Sequence, residues 1–226
     1  MFLGGAYAAV ADDISAIVYN PAGLAQMRRV EWNLAIGALS AKESSTLKST
    51  VGSPSVSTAT ASMSASSISS FGVVFPVPVY RGSLVFAGAY NRVKEFDSEL
   101  RVRGYSDTWG GTLDGRSVDT GGVNMWSLAG ALDVSPTVSL GLSADYYRGD
   151  HTLEEKRAYA GTSPDWYELY HSGYDDRLRG WNLHGGMLVK AAHSVRFAAG
   201  IRLPVKWSVK TSWYDDWCGR SSREYT

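Results

Sequence analysis

Few side chains in this sequence stand at the spacings that catalysis or metal binding requires. The single cysteine, Cys218, excludes an internal disulfide and any site built from several cysteines. No two histidines have the spacing of zinc ligands; the four are His151, His171, His184 and His193. The residue types therefore predict neither an enzyme nor a metalloprotein.

The glycine-rich and serine-rich segments also lack the patterns of known reactive loops. Gly-Gly pairs at 110–111, 121–122 and 185–186 have no flanking lysine or helix start, so they do not resemble phosphate-binding loops. Segment 44–70 is rich in serine but has no nucleophile-elbow pattern. Segment 107–119 is rich in Asp and Gly but does not match the twelve-residue calcium loop. We interpret both segments as polar loops.

The composition excludes two further classes of protein. The 22 basic and 22 acidic side chains cancel among 226 residues, so nothing electrostatic favours a nucleic-acid partner. The longest uncharged apolar run, residues 71–80, is about half of what a membrane-spanning helix needs, and it contains two prolines. Twenty-four glycines, eight tryptophans and thirteen tyrosines favour strands and turns with aromatic anchors.

From Val30 onward, apolar residues alternate with polar or small ones, which predicts strands with one apolar face. We expect seven strands. The last is the clearest, because Val195 to Trp207 places Phe197 and Ile201 on one face and Arg196, Arg202 and Lys206 on the other. The third run, 83–96, alternates poorly.

Short and long connections alternate strictly between these strands. Tight turns are expected at 80–82, 135–136 and 192–194, and long polar loops at 43–65, 97–121 and 150–177. Outer-membrane barrels have short periplasmic turns and long outer loops. Aromatic residues near strand ends would form the interfacial girdles of such a barrel; these are Trp32, Tyr90, Trp126, Tyr146, Trp181 and Trp207. The alternative is a soluble β-sandwich with an aromatic core, but three bases on one strand face favour a water-filled lumen.

The first 28 residues differ from the rest. Asp12 or Asp13 could cap a short helix over Ile14–Tyr19, Pro21 should end it, and a second turn is expected over Ala22–Met27. Backbone groups of such a segment can be satisfied in a polar lumen but not against lipid. We therefore predict an all-β antiparallel transmembrane barrel at 29–226 and a helical hatch, or plug, at 1–28.

Both ends of the chain are expected to be incomplete. Seven is an odd strand number, and single-chain bacterial barrels have an even one. Met1 is followed at once by an apolar stretch without the basic region of an export signal. The last strand is followed only by the short polar segment 221–226. We expect the N-terminal part of a larger barrel.

The leader carries a recognisable pattern of small, acidic and amide residues: Gly5, Ala6, Tyr7, Ala9, Ala11, Asp12, Asp13, Asn20, Pro21 and Ala22. This pattern resembles the N-terminal hatch of the FadL-like family (OMPP1/TodX type), the outer-membrane transporters for long-chain fatty acids and other hydrophobic compounds. The leader of PorV-like scaffold barrels, which hold secreted proteins at the cell surface, is similar.

The resemblance implies a fourteen-stranded barrel in the bacterial outer membrane, of which seven strands would be half. It implies passive uptake of a hydrophobic solute, gated by the hatch, without catalysis or a cofactor. In this family a kink in the third strand opens a lateral gap toward the membrane lipid. Gly88 and Asn91 are the candidates for that kink, although Gly88 could instead pack against the hatch backbone.

Several polar side chains are candidates for work inside the lumen. Asn20 could bond carbonyls freed near Pro21, and Asp12 and Asp13 either cap the helix or pair with lumenal bases. Those bases could also bind a fatty-acid carboxylate, or simply line a solvated wall; they are Lys190, Arg196, Arg202 and Lys206. The expected partners are membrane lipid and a hydrophobic small molecule. In the scaffold alternative, the partner is a surface protein bound by the long loops, including the aromatic segment 166–174.

Overall fold

A computed structural model of the chain describes residues 8–9, 13–49, 55–106, 111–161, 167–192 and 195–220. Two short helical pieces precede one antiparallel sheet: α1 (Ala16–Tyr19) and a 3-10 helix (Pro21–Gln26). The strands are β1 (Glu31–Ser49), β2 (Ser55–Val77), β3 (Leu84–Glu95), β4 (Ser98–Ser106), β5 (Gly111–Ser135), β6 (Val138–Gly161), β7 (Tyr167–Ala192), β8 (Val195–Arg202) and β9 (Lys206–Arg220). Within the described ranges, no helix is long and apolar enough to cross a membrane.

The nine strand segments occupy seven positions in the sheet. β3 and β4 both pair with β2 on one side and β5 on the other, so they are two halves of one interrupted strand. β8 and β9 likewise share the edge of β7. Seven strand positions agree with the alternation in the sequence. Among the described residues, β1 and the β8–β9 strand are the two edges, and the sheet is open.

The prediction of long polar loops was wrong, because these segments continue the strands as paired hairpins. β5 and β6 stay paired from Ser135 and Val138 as far as Gly111 and Gly161. Most of 43–65 belongs to the β1–β2 hairpin, and β7 begins at Tyr167, inside the expected third loop. Polar residues on both faces suit a strand pair that has water on both sides, and such a pair shows no apolar alternation in its sequence.

Charge pairing supports the polar hairpin formed by β4 and β5. Arg101 and Arg116 lie directly opposite each other, and the Nε of each donates to Oε1 of Glu99, at 2.5 and 2.7 Å. Bonds from the two guanidiniums, Arg101 first, hold the pKa of the Glu99 carboxyl below its ordinary value. Two like charges can thus face each other because an anion lies between them.

The helical pieces cover one face of the sheet, which we call the inner face. Ala16, Ile17 and Leu24 are fully buried there against small and branched residues of the sheet. The contributing strand residues are Val74, Val85, Ala87, Ala129 and Ala131. This cluster is the core of the described part, and it fixes the segment between Asp13 and Met27 to β2, β3 and β5.

The opposite, outer face carries an aromatic row in direct cross-strand register. Phe71 lies opposite Tyr90, Tyr90 opposite Trp126, Trp126 opposite Tyr146, and Tyr146 opposite Trp181. We call these five residues the aromatic row. Between it and the tight turns, the outer side chains are apolar and largely exposed, including Leu128 at 74% and Ile201 at 72%. An apolar outer band with aromatics at its margin is typical of the lipid-facing wall of a barrel.

The last strand changes face between β8 and β9, where the sequence pattern predicted one continuous alternation. Arg202 lies opposite the inner residue His184, whereas Lys206 lies opposite the outer residue Trp181. Residues 203–205, which contain Pro204, separate the two strands and reverse the phase. Trp207 accordingly lies on the inner face, with its ring centroid 5.3 Å from that of Tyr147.

Candidate functional site: a plugged inner face beside an interrupted strand

Two glycines form the seat of the 3-10 helix. Gly141 and Gly186 lie directly opposite each other on β6 and β7, on the inner face. A Cβ on Gly141 would lie 2.3 Å from the backbone of Pro21 and Ala22, and one on Gly186 would lie 1.8 Å from Oδ1 of Asn20. Any side chain at either position would collide with the turn Asn20–Ala22. The wall and this turn are therefore closely fitted.

Asn20 links three parts of the chain. Its Oδ1 accepts from the N–H of Ala22 and caps the 3-10 helix, at 3.2 Å. Its Nδ2 donates to the carbonyl of Ala8 at 3.0 Å and to that of Met187 on β7 at 3.2 Å. From the sequence we expected the Asn20 side chain to bond carbonyls near Pro21. The carbonyls that it bonds instead belong to Ala8, twelve residues earlier, and to Met187 in the sheet. The side chain is 1% exposed, so losing these bonds would leave buried polar groups without partners.

The carbonyl end of α1 is held by two side chains of the wall. Nε2 of His184 donates to the carbonyl of Ile17 at 2.6 Å, and Nη2 of Arg202 donates to that of Val18 at 2.6 Å. Behind them, Oδ2 of Asp145 lies 3.2 Å from Nδ1 of His184, and Oδ1 accepts from Ser127 at 2.7 Å. These contacts satisfy carbonyls that a four-residue helix cannot satisfy itself.

Sequence reasoning missed His184 and Asp145 as anchors of the leader. His184 was considered only as a zinc ligand. One signal was available: both residues fall on the inward phase of otherwise apolar strands, where a polar side chain needs a partner. The register that brings the two together across β6 and β7 could not be read from either strand alone.

The other predicted hatch residues divide into two groups. Asp13 lies just before α1, and its Oδ1 accepts at 2.9 Å from the N–H of Ser15, the residue that precedes the helix; among the described residues no ion pair joins it to a lumenal base. Pro21 and Ala22 lie buried in the glycine seat. Gly5, Tyr7 and Asp12 lie outside the described residues.

The four predicted lumenal bases do not form one cluster. Arg202 holds α1, while Lys190 and Arg196 lie opposite each other on the inner face, near the end of β7 and the start of β8. Lys206 lies on the outer face, where its Nζ is 5.4 Å from the ring centroid of Trp181. The expectation that Lys206 faces the lumen is therefore corrected: the phase reversal at residues 203–205 turns it outward.

A second apolar cluster lies on the inner face. It is next to α1, on the side that faces the polar hairpins. Val123, Met125 and Tyr147 are buried there, each less than 8% exposed. Val18 of α1 packs against them, as do Phe96 and Val205. We call these six residues the inner patch. All six side chains are apolar or aromatic, so the patch suits a hydrophobic chain better than an ion.

The wall is interrupted next to the inner patch. β2 pairs with β3 as far as Ser70 and Asn91, and pairing resumes with β4 at Ser62 and Glu99. Residues 63–69 of β2 have no ladder partner on that side within the described chain. We call this interruption the window; a cavity of about 220 Å³ lies beside it. Phe96 stands at the break between β3 and β4, so the inner patch and the window share a residue.

Side chains and one glycine hold the window in shape. Glu95 accepts from Ser67 across the gap at 3.3 Å and from Nε of Arg92 at 2.6 Å. The N–H of Phe96 donates to the carbonyl of Gly121, whose φ of +109° lies in the region that favours glycine. The interruption is therefore a built feature with its own bonds.

The predicted kink positions lie beside the window and not in it. Gly88 pairs regularly with Val73 and Leu128, and its position faces outward, away from the hatch. Asn91 is the last residue of β3 that pairs with β2. The register shift against β5 falls between Arg92 and Lys94. A bulged residue displaces a strand more than a glycine within a regular ladder does.

Comparison with known proteins agrees with these features. The chain matches the family model described as outer membrane protein transport protein (OMPP1/FadL/TodX) over residues 3–210. A comparison with curated proteins found no match. The family consists of bacterial outer-membrane transporters of hydrophobic compounds, which are not enzymes, and it implies a β-barrel. The chain belongs to this OMPP1/FadL/TodX family of outer-membrane transport proteins.

Proposed function

We propose that the protein admits long-chain fatty acids or similar hydrophobic compounds passively through a plugged transmembrane barrel. The sheet would be half of a fourteen-stranded barrel whose lumen holds the hatch. The apolar outer band and the aromatic row support this, because they match a wall in contact with lipid. The tight turns then lie on the periplasmic side and the polar hairpins outside.

The observation that carries the proposal is the continuity from the inner patch to the window. A solute that enters from outside meets α1 below it and Val123, Met125 and Tyr147 beside it. Its apolar chain is stabilised there by leaving water. Phe96 leads from this patch to the gap between β2 and β3. A solute leaving by that route reaches the membrane without crossing the periplasm.

The hatch would keep this path closed toward the periplasm. Its turn lies directly on Gly141 and Gly186, and His184 and Arg202 hold α1 in place. Arg202 is the predicted base that could attract a carboxylate to the patch, because its partner is Val18, a member of the patch. A solute that binds Arg202 would compete with the carbonyl of Val18, which links solute binding to movement of α1.

Truncating the inner patch should weaken solute binding. We expect Met125→Ala to weaken the affinity for a fluorescent long-chain fatty acid about tenfold, because the truncation leaves a cavity beneath Val18 and loosens the packed apolar surface along which the solute lies. The measurement is a titration of the protein purified from outer membranes in detergent. Leu128→Ala is the matched control: it lies on the same strand but faces outward, at 74% exposed.

Equal weakening by both substitutions, or none by Met125→Ala, would contradict a binding site on the inner patch. A well-folded protein that binds no fatty acid, but that copurifies with a stoichiometric surface protein, would favour the scaffold function instead. The hairpins formed by β1–β2, β4–β5 and β6–β7 would then be the binding surface.

A further inference from the structure

Two arginines face each other on the outer face without an anion between them. Arg148 on β6 lies directly opposite Arg179 on β7, and both are exposed. Side chains in this position stand about 4.5–5.5 Å apart at Cβ, and like charges so placed repel. Within the described ranges, neither guanidinium has an acidic partner within 4.0 Å.

The same chain shows how such a pair is neutralised internally. Arg101 and Arg116 also lie directly opposite each other, but both bind Glu99. Arg148 and Arg179 have the same arrangement without the carboxylate. A bound anion from outside the chain would supply the missing charge, and two guanidiniums match the oxygens of a phosphate.

The position of this arginine pair relative to lipid is specific. Arg148 is two residues beyond Tyr146 and Arg179 two residues before Trp181, so the pair stands about 7 Å above the aromatic row on the side of the polar hairpins. Further cations lie on the outer face on either side of this level: Lys206 opposite Trp181, two residues below, and Arg177 two residues above, between Asp150 and Lys210. In the proposed orientation, this level is that of the outer-leaflet headgroups.

An apolar groove lies directly below the arginine pair. Its volume is about 580 Å³, within the roughly 300–1,000 Å³ of ligand pockets. The aromatic row forms its upper margin. The groove exists because Gly88 and Ala144 are small. Each of them lies between larger neighbours in a cross-strand row that includes Leu128 and Leu183. The groove faces lipid and is separate from the inner patch.

We propose that this surface binds a phosphate-bearing glycolipid of the outer leaflet. A phosphate lies between Arg148 and Arg179, and one acyl chain lies in the groove across Gly88 and Ala144. Lys206, over the ring of Trp181, and Lys210 extend the positive charge toward a second phosphate. The inference rests on the barrel orientation of the proposed function but not on transport.

The test is native mass spectrometry of the protein purified from outer membranes and titrated with lipid A, a diphosphorylated, acylated disaccharide. The double variant Arg148→Gln/Arg179→Gln should bind this lipid about tenfold to a hundredfold more weakly, since bonds between charged groups are lost. The matched control, Arg101→Gln/Arg116→Gln, removes a cross-strand arginine pair whose charge is already neutralised. It should leave the affinity unchanged.

A second pair of variants tests the groove. Ala144→Leu should weaken binding of the lipid, because its side chain fills the hollow, whereas Gly185→Leu, outward-facing but outside the groove, should not. Equal losses in both arginine variants, an unchanged affinity in Arg148→Gln/Arg179→Gln, or equal effects of the two leucines would overturn the proposal. So would displacement of the lipid by inorganic phosphate alone, or equal binding of the dephosphorylated lipid.

Fatty-acid titration of the same variants separates this inference from the proposed function. Arg148→Gln/Arg179→Gln should bind fatty acid as the unmodified protein does, which also shows that it is folded. Loss of lipid binding with retained fatty-acid binding supports the glycolipid site. Normal lipid binding by a protein that takes up no fatty acid would contradict the transport function alone.

Discussion

Gly141→Ala is expected to unseat the hatch and make the protein conduct ions. The new methyl group would lie 2.3 Å from backbone atoms of Pro21 and Ala22, and a backbone cannot rotate away as a side chain can. Overpacking of this kind costs about 1–3 kcal/mol. A local shift of the turn Asn20–Ala22 away from its seat relieves this overlap, and it breaks the bonds of Asn20 to the carbonyls of Ala8 and Met187. The measurement is the conductance of the purified protein in planar bilayers.

The matched control is Gly185→Ala, one residue before the second glycine of the seat. A Cβ at Gly185 would be 3.6 Å from its nearest neighbour, the carbonyl of Gly141, and would point outward. We expect it to leave the conductance low. Low conductance in Gly141→Ala, with the hatch as protected from protease as in the unmodified protein, would contradict the closely fitted seat and its gating role.

Closing the window is expected to stop uptake of the solute. Ser67 and Glu95 reach each other across the gap, with 3.3 Å between Oγ and Oε2. In the double variant Ser67→Cys/Glu95→Cys, a short cleavable crosslinker should tie β2 to β3 there. Uptake of fatty acid by intact cells should then fall to background and return when the crosslinker is cleaved, because the exit toward lipid is blocked and then reopened.

Ser62→Cys/Glu99→Cys provides the matched control with the same residue types. These two positions are already paired across β2 and β4, where the wall is closed. Crosslinking them should not change uptake. Full uptake by the crosslinked Ser67/Glu95 variant would show that solutes leave by another route, such as the periplasmic end of the lumen.

The positions of the strands could be predicted from the sequence where the inner and outer faces of a strand differ in polarity or packing. β6 near Leu140 and Leu142 has an exposed apolar outer face and an inner face covered by the 3-10 helix, so its sequence alternates. The short helix before Pro21 was also predictable, since the proline ends it at the preceding residue. Both signals are local, and both were correct.

What sequence reasoning missed depends on register between strands. The polar hairpins carry polar residues on both faces and show no apolar alternation, so they resembled loops in the sequence. Lys206 was assigned to the lumen because the apolar alternation of the sequence continues through residues 203–205. The strand nevertheless changes face there, and the sequence shows no sign of that change. The contact of His184 with Ile17, and the window beside Phe96, arise only when distant strands are aligned. A single strand does not carry that information.

Uptake of a radiolabelled long-chain fatty acid by intact cells tests the central claim most directly. Cells that produce the protein are compared with cells that lack it, at a verified level in the outer membrane. The account predicts saturable uptake that depends on the protein and that Met125→Ala reduces. Uptake equal to that of cells without the protein, with the protein folded and correctly located, would contradict transport of hydrophobic compounds through this barrel.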